Sequence, residues 1–506
     1  MRTFNATPAA AARVLRVVAA ASLVVVVAAG ACGGGGWPRA VDVRAFPDST
    51  SAPTIASIAD IGAGRVLDYG PLPIEGGGPD GVAAIGEMLL VRGEDFSRQP
   101  TVSIAGLPAP IEAFTSDGSL VVRVPAGAPA GERAVDVRNA GGHARATVRV
   151  RRYALVAHAG GGRVHALALE ADGPRIVGEP IAVAGAARVG FAPDGSVGYA
   201  IGGDGTLVAV DMGASGGPRA IVRRALGVDR VVDFDVAARA RRAVVLAPDR
   251  FVLVDLRHPR DPARFAPEAL PADLAAAGAV AAALDADGTR LAVVTAGGNR
   301  VTIFDLHDPA SPTVARTISL LPDTTLPALC AARFDRDGRL WLAAGDSPRS
   351  LDAGRQDARL LRLDIGAKDG EPRIDATTIA GGGAPAAIAL PRARAVASGS
   401  AIGDARDRVA LALHAPGAIE RALPSGALLR VEPGGALTLA EGPLALGAID
   451  TTDAGNVVVA AAARGASFGL LWARVDPPAS GFVVLEAASG DDLKPPYSVG
   501  GAATQP

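Results

Sequence analysis

Short apolar runs bounded by Gly, Pro and Asp recur along this chain from about residue 86 to its end. Several alternate apolar with polar positions, as in "TVSIAGL" (101–107) and "ARATVRV" (144–150). Alternation turns one row of side chains inward and the other outward, so it predicts strands with one buried face. Helical spacing is scarce by comparison. With 63 glycines and 38 prolines the chain has turns throughout, and the pattern predicts an all-β protein in two folded parts.

The first part spans 73–152. Its strands are "GEMLLVRGEDF" (86–96), "TVSIAGLPAPI" (101–111), "LVVRVPAGAPAGERAVDVRNAGG" (120–142) and "ARATVRV" (144–150). Such short strands joined by Gly/Pro turns suit a small sandwich. The segment also resembles the IPT/TIG family of immunoglobulin-like domains. The resemblance rests on Val91, Gly93 and Phe96, on Val124–Pro125, and on Val137, Asn139, Gly141 and Gly142. It implies an Ig-like β-sandwich and nothing specific about function.

The second part, 153–502, is a repeat. Seven apolar runs end in an acid: Glu170, Asp211, Asp255, Asp305, Asp364, Glu432 and Asp476. A second signature, strand, D-G turn, strand, stands at "FAPDGSVGYA" (191–200), "LDADGTRLAVV" (284–294) and "FDRDGRLWLA" (334–343). Four-strand units of this length predict the blades of a propeller. Six inner strands begin near Val189, Val231, Val280, Cys330, Ala386 and Leu446. The first unit lacks its own, and "PPYSVGG" (495–501) is expected to supply it and close a seven-bladed ring. The repeats resemble YVTN and lactonase-like propeller repeats, and "FDLHDPASPTVARTISL" (304–320) resembles the LVIVD repeat.

Ahead of both parts lies "VVAAASLVVVVAAGACGGGG" (17–36), preceded by Arg2, Arg13 and Arg16. A basic start, a short apolar stretch and small residues make a secretory signal over 1–31. Ala29-Gly30-Ala31-Cys32 resembles the bacterial lipobox, which implies a lipid on Cys32; the same letters also permit ordinary cleavage and a spare thiol. Residues 32–72 read as a flexible tether. Gly33 after the cysteine implies, by the same resemblance, sorting to the outer membrane, periplasmic or surface-exposed. Cys330 then has no disulfide partner and reads as a small apolar residue in a strand.

Charge adds exclusions. The formal net charge is −2, without the basic footprint that nucleic acid requires. The six histidines have no metal-ligand spacing, and no G-x-S-x-G elbow, Walker loop or dinucleotide fingerprint is present. No metal, cofactor or catalytic residue is therefore expected. The strand-end acids recur in every unit, so they read as turn formers. "DADG" and "DRDG" read the same way rather than as calcium loops.

What differs between units is loop length. Insertions at 345–358 and 414–426 stand at equivalent points of neighbouring units, and a third, at 391–407, belongs on the opposite face. Their charged residues, Asp346, Arg349, Arg355, Asp357, His414, Glu420 and Arg421, are the candidate binding residues. The resulting expectation is a lipid-anchored envelope protein whose propeller binds a protein or small ligand, displayed on an Ig-like spacer. Its rival is a lactonase-like hydrolase working in the central pocket, where Asp233, Asp235, Asp285, Asp335 and Asp450 are the acids on offer. A spacer without a partner is the third reading.

Overall fold

In the computed structural model the alternating residues of the first part close over one core. The structure describes residues 40–41, 49–61, 82–115, 118–170, 172–214, 216–237, 239–295, 300–320, 328–335, 338–345, 358–365, 373–379, 385–389, 409–414, 426–432, 435–438, 444–451, 457–464, 467–474, 479–487 and 499–505. The signal segment and Cys32 lie outside them. So do many side chains after residue 327, including that of Cys330.

Two five-stranded sheets build the first part. One runs Ala40–Val41, Ile111–Thr115, Leu120–Arg123, Met88–Glu94, Thr54–Asp60; the other runs Val82–Ala84, Gly142–Arg151, Gly131–Asn139, Thr101–Ile104, Leu107–Pro108. Leu89, Val91, Leu120 and Val122 of the first sheet meet Val102, Ile104, Val135, Val137 and Val150 of the second in a shared core. Each such side chain contributes about 1.5–3 kcal/mol on burial.

Strand Thr54–Asp60 corrects the flexible tether expected over 32–72. It pairs antiparallel with Met88–Glu94, and Ala40–Val41 pairs with Ile111–Thr115, so the folded part begins well before residue 73. Two glycines explain the attachment. A Cβ on Gly93 would sit 1.9 Å from the Thr54 carbonyl oxygen, and one on Gly141 would sit 2.2 Å from that of Thr50. Only glycine lets the strap lie this close. Asn139 fastens it: its amide nitrogen donates to the carbonyls of Ser51 at 2.9 Å and Asp95 at 2.6 Å, while its oxygen accepts from the Gly141 and Gly142 N–H groups.

The second part is a ring of antiparallel sheets. Five follow one another, opening with Arg188–Phe191, Asp233–Val236, Ala279–Leu284, Ala328–Phe334 and Pro385–Ala389. A nine-stranded sheet completes the circuit. It joins Leu444–Thr451, Val457–Arg464, Ser467–Arg474 and Ala479–Ala487 to Val499–Thr504, Tyr153–His158, Arg163–Glu170 and Gly173–Ile176, with Ile181–Ala182 also paired to Arg163–Glu170. A single parallel bridge, Ala448 to Gly501, links its halves. The opening strands touch in sequence all the way round, Val499–Thr504 lying between Leu444–Thr451 and Arg188–Phe191. The arrangement is propeller-like, and Val499–Thr504 pairs antiparallel with Tyr153–His158, bringing the end of the repeat beside its start. The only helix among the described residues is Ala272–Ala277, and none of their helices is long and apolar enough to cross a membrane.

The two parts are docked. Gly86, with φ at +78°, lies against the hairpin Asp194–Ser196, where a Cβ would come within 2.4 Å of the Ser196 nitrogen. Ala84 joins the same core as Tyr153, Leu155 and Phe191. Arg123 of the first part lies 3.9 Å from the Asp194 carboxylate of the ring.

Candidate functional site

The inner strands bring one polar cluster together at the centre of the ring. Asp233 opens its strand and is 6% exposed. Its carboxylate accepts from its neighbour Phe234 N–H at 2.9 Å, from Ala282 N–H of the next sheet at 3.1 Å, and from Arg188 Nε of the preceding sheet at 3.3 Å. Arg333, from the sheet beyond Ala282, places Nη1 3.6 Å from the same carboxylate. Two residues along, Asp235 accepts from Leu284 N–H at 2.9 Å. One strand therefore uses two carboxylates to hold the backbone of its neighbour, and two guanidinium groups flank the first of them.

The other expected acids serve turns. Asp285 accepts from the N–H groups of Thr289 and Arg290 and pairs with Arg290 Nε at 3.0 Å. Asp335 accepts from Arg339 N–H and Trp341 Nε1. These contacts close the D-G turns, whose Gly288 and Gly338 take φ of +63° and +79°. Asp450 lies in strand Leu444–Thr451, and its side chain is outside the described residues. Among the described residues no group of three His, Cys, Asp or Glu is arranged to hold a metal ion.

Three strand-end acids form the same short turn. Asp211, Asp255 and Asp305 each accept from the backbone N–H two residues on, at Gly213, Arg257 and His307. Burial opposes the charge of Asp255, yet hydrogen bonds from the Arg257 side chain and backbone hold its carboxyl below the usual range. At Asp305 the His307 backbone and ring do the same. Asp211 adds Arg260 at 2.6 Å, and Glu170 pairs with Arg175 at 3.4 Å.

The sequence reading passed over Arg188 and Arg333. Arg188 opens "RVGF" and Arg333 stands third in "AARF", and a charge inside an otherwise apolar inner strand was the available signal.

The expected binding residues other than His414 lie in two long second-to-third connections. Residues 346–357 join Leu340–Gly345 to Ala358–Asp364, and 415–425 join Val409–His414 to Gly426–Glu432. Each links the second strand of its sheet to the third, and the two sheets are neighbours. The equivalent connections elsewhere are short: 159–162, 202–205, 247–249, 296–299 and 465–466. All leave from one end of the ring, because successive antiparallel strands reverse direction. Residues 390–408 join a first strand to a second, hence at the other end. Asp346, Arg349, Arg355, Asp357, Glu420 and Arg421 lie outside the described residues; His414 ends its strand, with its side chain outside them.

No family model matches the chain, and no curated protein matches it. Solved structures do. A Lactobacillus plantarum protein is 10% identical, covering 70% of this chain and 99% of its own, with a TM-score of 0.48. A candidate 6-phosphogluconolactonase of Bacteroides uniformis is 12% identical, with coverages of 67% and 97% and a TM-score of 0.46. A β-propeller domain from Myceliophteria thermophila is 12% identical, with coverages of 61% and 92% and a TM-score of 0.40.

Proposed function

We propose that this chain is a secreted envelope protein, anchored by a lipid on Cys32 and sorted to the outer membrane. In this reading an Ig-like domain of the IPT/TIG kind is fixed to a seven-bladed propeller, and the propeller binds an envelope protein or small ligand. The binding face is the end carrying the connections 346–357 and 415–425. The observation that supports it is the strand order: the two long second-to-third connections belong to neighbouring sheets, and the other five are short. Long loops on a rigid scaffold are where binding residues concentrate.

The same reading is supported over a hydrolase by what the inner acids do. Asp233, Asp235, Asp285 and Asp335 each spend oxygens on backbone N–H groups or neighbouring side chains. A hydrolytic site needs such groups converging on substrate. The docked turn at Gly86 also makes the first domain a fixed platform rather than a swinging spacer.

The test is in-cell crosslinking of the tagged protein with mass spectrometry, beside a Cys32→Ser copy and a copy lacking 346–357. A partner that depends on the loop is the expected result, with Cys32→Ser released from the membrane fraction. An unchanged crosslink pattern would remove the loop face from the account. Hydrolysis of lactones or esters by the purified protein would return the central pocket to consideration.

A further inference from the structure

His158 and His165 grip one carboxylate across the place where the ring closes. Glu486, on strand Ala479–Ala487, sends Oε2 to within 2.9 Å of His158 Nδ1 and Oε1 to within 2.6 Å of His165 Nε2. The histidines belong to Tyr153–His158 and Arg163–Glu170, more than 300 residues earlier in the chain. Both imidazoles are 3% exposed and the carboxylate 17%. His158 also stacks on Phe468, with ring centroids 4.0 Å apart and planes inclined by 10°.

The groups facing this cluster can be named from each element around it. Arg163 places Nη1 3.7 Å from Glu486 Oε1. Strand Ser467–Arg474 contributes Phe468, which stacks on His158 and stands opposite Glu486 in the register. The turn 159–162 closes over the top, where a Cβ on Gly161 would lie 2.3 Å from His158 Nδ1 and 2.9 Å from Glu486 Oε2. Two imidazoles and one guanidinium thus share a single carboxylate. When both rings are neutral, each donates one N–H to it and the charges are one anion beside one cation. A proton added to His165 leaves two cations around one anion, with both imidazoles almost cut off from screening water.

We propose that this seam is an acid-sensitive latch: proton uptake at His165 loosens the contact between Ala479–Ala487 and the strands Tyr153–His158 and Arg163–Glu170. The latch sits at the end of the ring that bears the second-to-third connections, since turn 159–162 is one of them. Loosening it therefore alters the end of the ring at which second strands pass to third strands. The inference depends on the fold and not on the function proposed above.

The sign follows from the environment. Burial pushes His165 below the ordinary imidazole range, against the hydrogen bond and charge of Glu486 that pull it up. The opened or unfolded chain then takes up the proton more readily than the closed seam. Stability is complete above about pH 6.5, the ordinary imidazole value, and declines as pH falls below it. Glu486 acts further down. Burial raises its carboxyl, the two histidine hydrogen bonds lower it further than that, and its contribution is lost only as pH falls through the carboxylate range.

Amide hydrogen exchange read by mass spectrometry on the full chain tests the latch. Peptides over 153–170 and 479–487 are compared with 197–211 between about pH 7.5 and pH 5.5, spanning the ordinary imidazole value. After correction for intrinsic exchange, the seam peptides are expected to lose protection by up to about tenfold per pH unit for each proton taken up, while 197–211 holds. A copy with His158→Gln and His165→Gln keeps an N–H donor at each position without a titrating ring, and its seam is expected to be flat with pH. Equal loss in all three peptides, or the same pH profile in the double variant, overturns the latch. Should the double variant fail to fold, ring-proton NMR of the native chain decides. Histidine signals that titrate together with seam exchange support the latch; signals that stay neutral while exchange rises overturn it.

Discussion

The side-chain oxygen of Gln505 accepts the Tyr153 backbone N–H at 2.7 Å, joining residues at opposite ends of the repeat. Its amide nitrogen donates to the Gly195 carbonyl at 2.9 Å and approaches that of Ile85 at 3.4 Å. Its own carbonyl accepts from Arg152 Nε at 3.1 Å. Gln505 is fully buried, so one side chain ties the closing strand, the first ring sheet and the Gly86 turn of the first domain.

Gln505→Ala is therefore expected to cost about 2–4 kcal/mol, because it leaves a buried N–H and a buried carbonyl unmet. It should also separate the two parts. Calorimetry of the native chain is expected to give a single dominant transition, and the variant two. One unsplit transition at the native temperature would show that Gln505 does not couple them.

Gly93→Ala and Gly141→Ala should each detach the strap Thr54–Asp60. The added methyl meets backbone oxygen in both cases, and backbone cannot swing aside as a long side chain can. A loss of roughly 3 kcal/mol is expected, the upper end of overpacking. Limited proteolysis should open near residues 49–61 first. Gly106→Ala is the contrast: at φ +79° with nothing within 4 Å, it carries only left-handed backbone strain, about 1 kcal/mol.

These elements show which features the residues announce and which they do not. The ring strands are readable where one local rule recurs, an apolar run, a D-G turn and another apolar run, as at 191–200, 284–294 and 334–343. Asp255 and Asp305 are readable as turn formers for the same reason: their partners are two residues away. Strand Thr54–Asp60 is not, since "PTIASI" alternates weakly and its partner begins more than 30 residues later. Gln505 and the His158–Glu486 pair are less legible still. Each is a polar residue of unremarkable surroundings whose meaning comes from a partner more than 300 residues distant.

The strand-end acids should not be equivalent, although they form the same turn. Asp211 is 5% exposed and pairs with Arg260, whose side chain is 27% exposed. Asp211→Ala leaves that guanidinium half-buried without its carboxylate and is expected to cost about 2 kcal/mol. Asp305 lies at the surface, so Asp305→Asn should leave the melting temperature almost unchanged, the amide oxygen still accepting from His307 N–H. What Asp305→Asn removes is acid sensitivity. The native carboxyl is held below its usual range, so its contribution is present above the ordinary carboxylate pKa and fades as pH falls through the folded value. Thermal melts across that range should show a shallower acid decline in the variant.

Asp233 separates the two readings of the ring's centre. If its carboxylate is a fastener, Asp233→Ala leaves Arg188, Arg333 and the Ala282 N–H facing a gap, and stability should fall by about 3 kcal/mol, as for a broken buried ion pair. Asp233→Asn keeps one acceptor oxygen and should cost less than half of that. Urea midpoints measure both, with an unchanged slope showing that the unfolded state is the same. A partner bound at the loop-bearing end should then be retained by either variant at temperatures where it remains folded. The opposite pattern, native stability with abolished turnover of a lactone or ester, would mean that the carboxylate serves a substrate. The inner wall would then be the site, and the long connections 346–357 and 415–425 its rim.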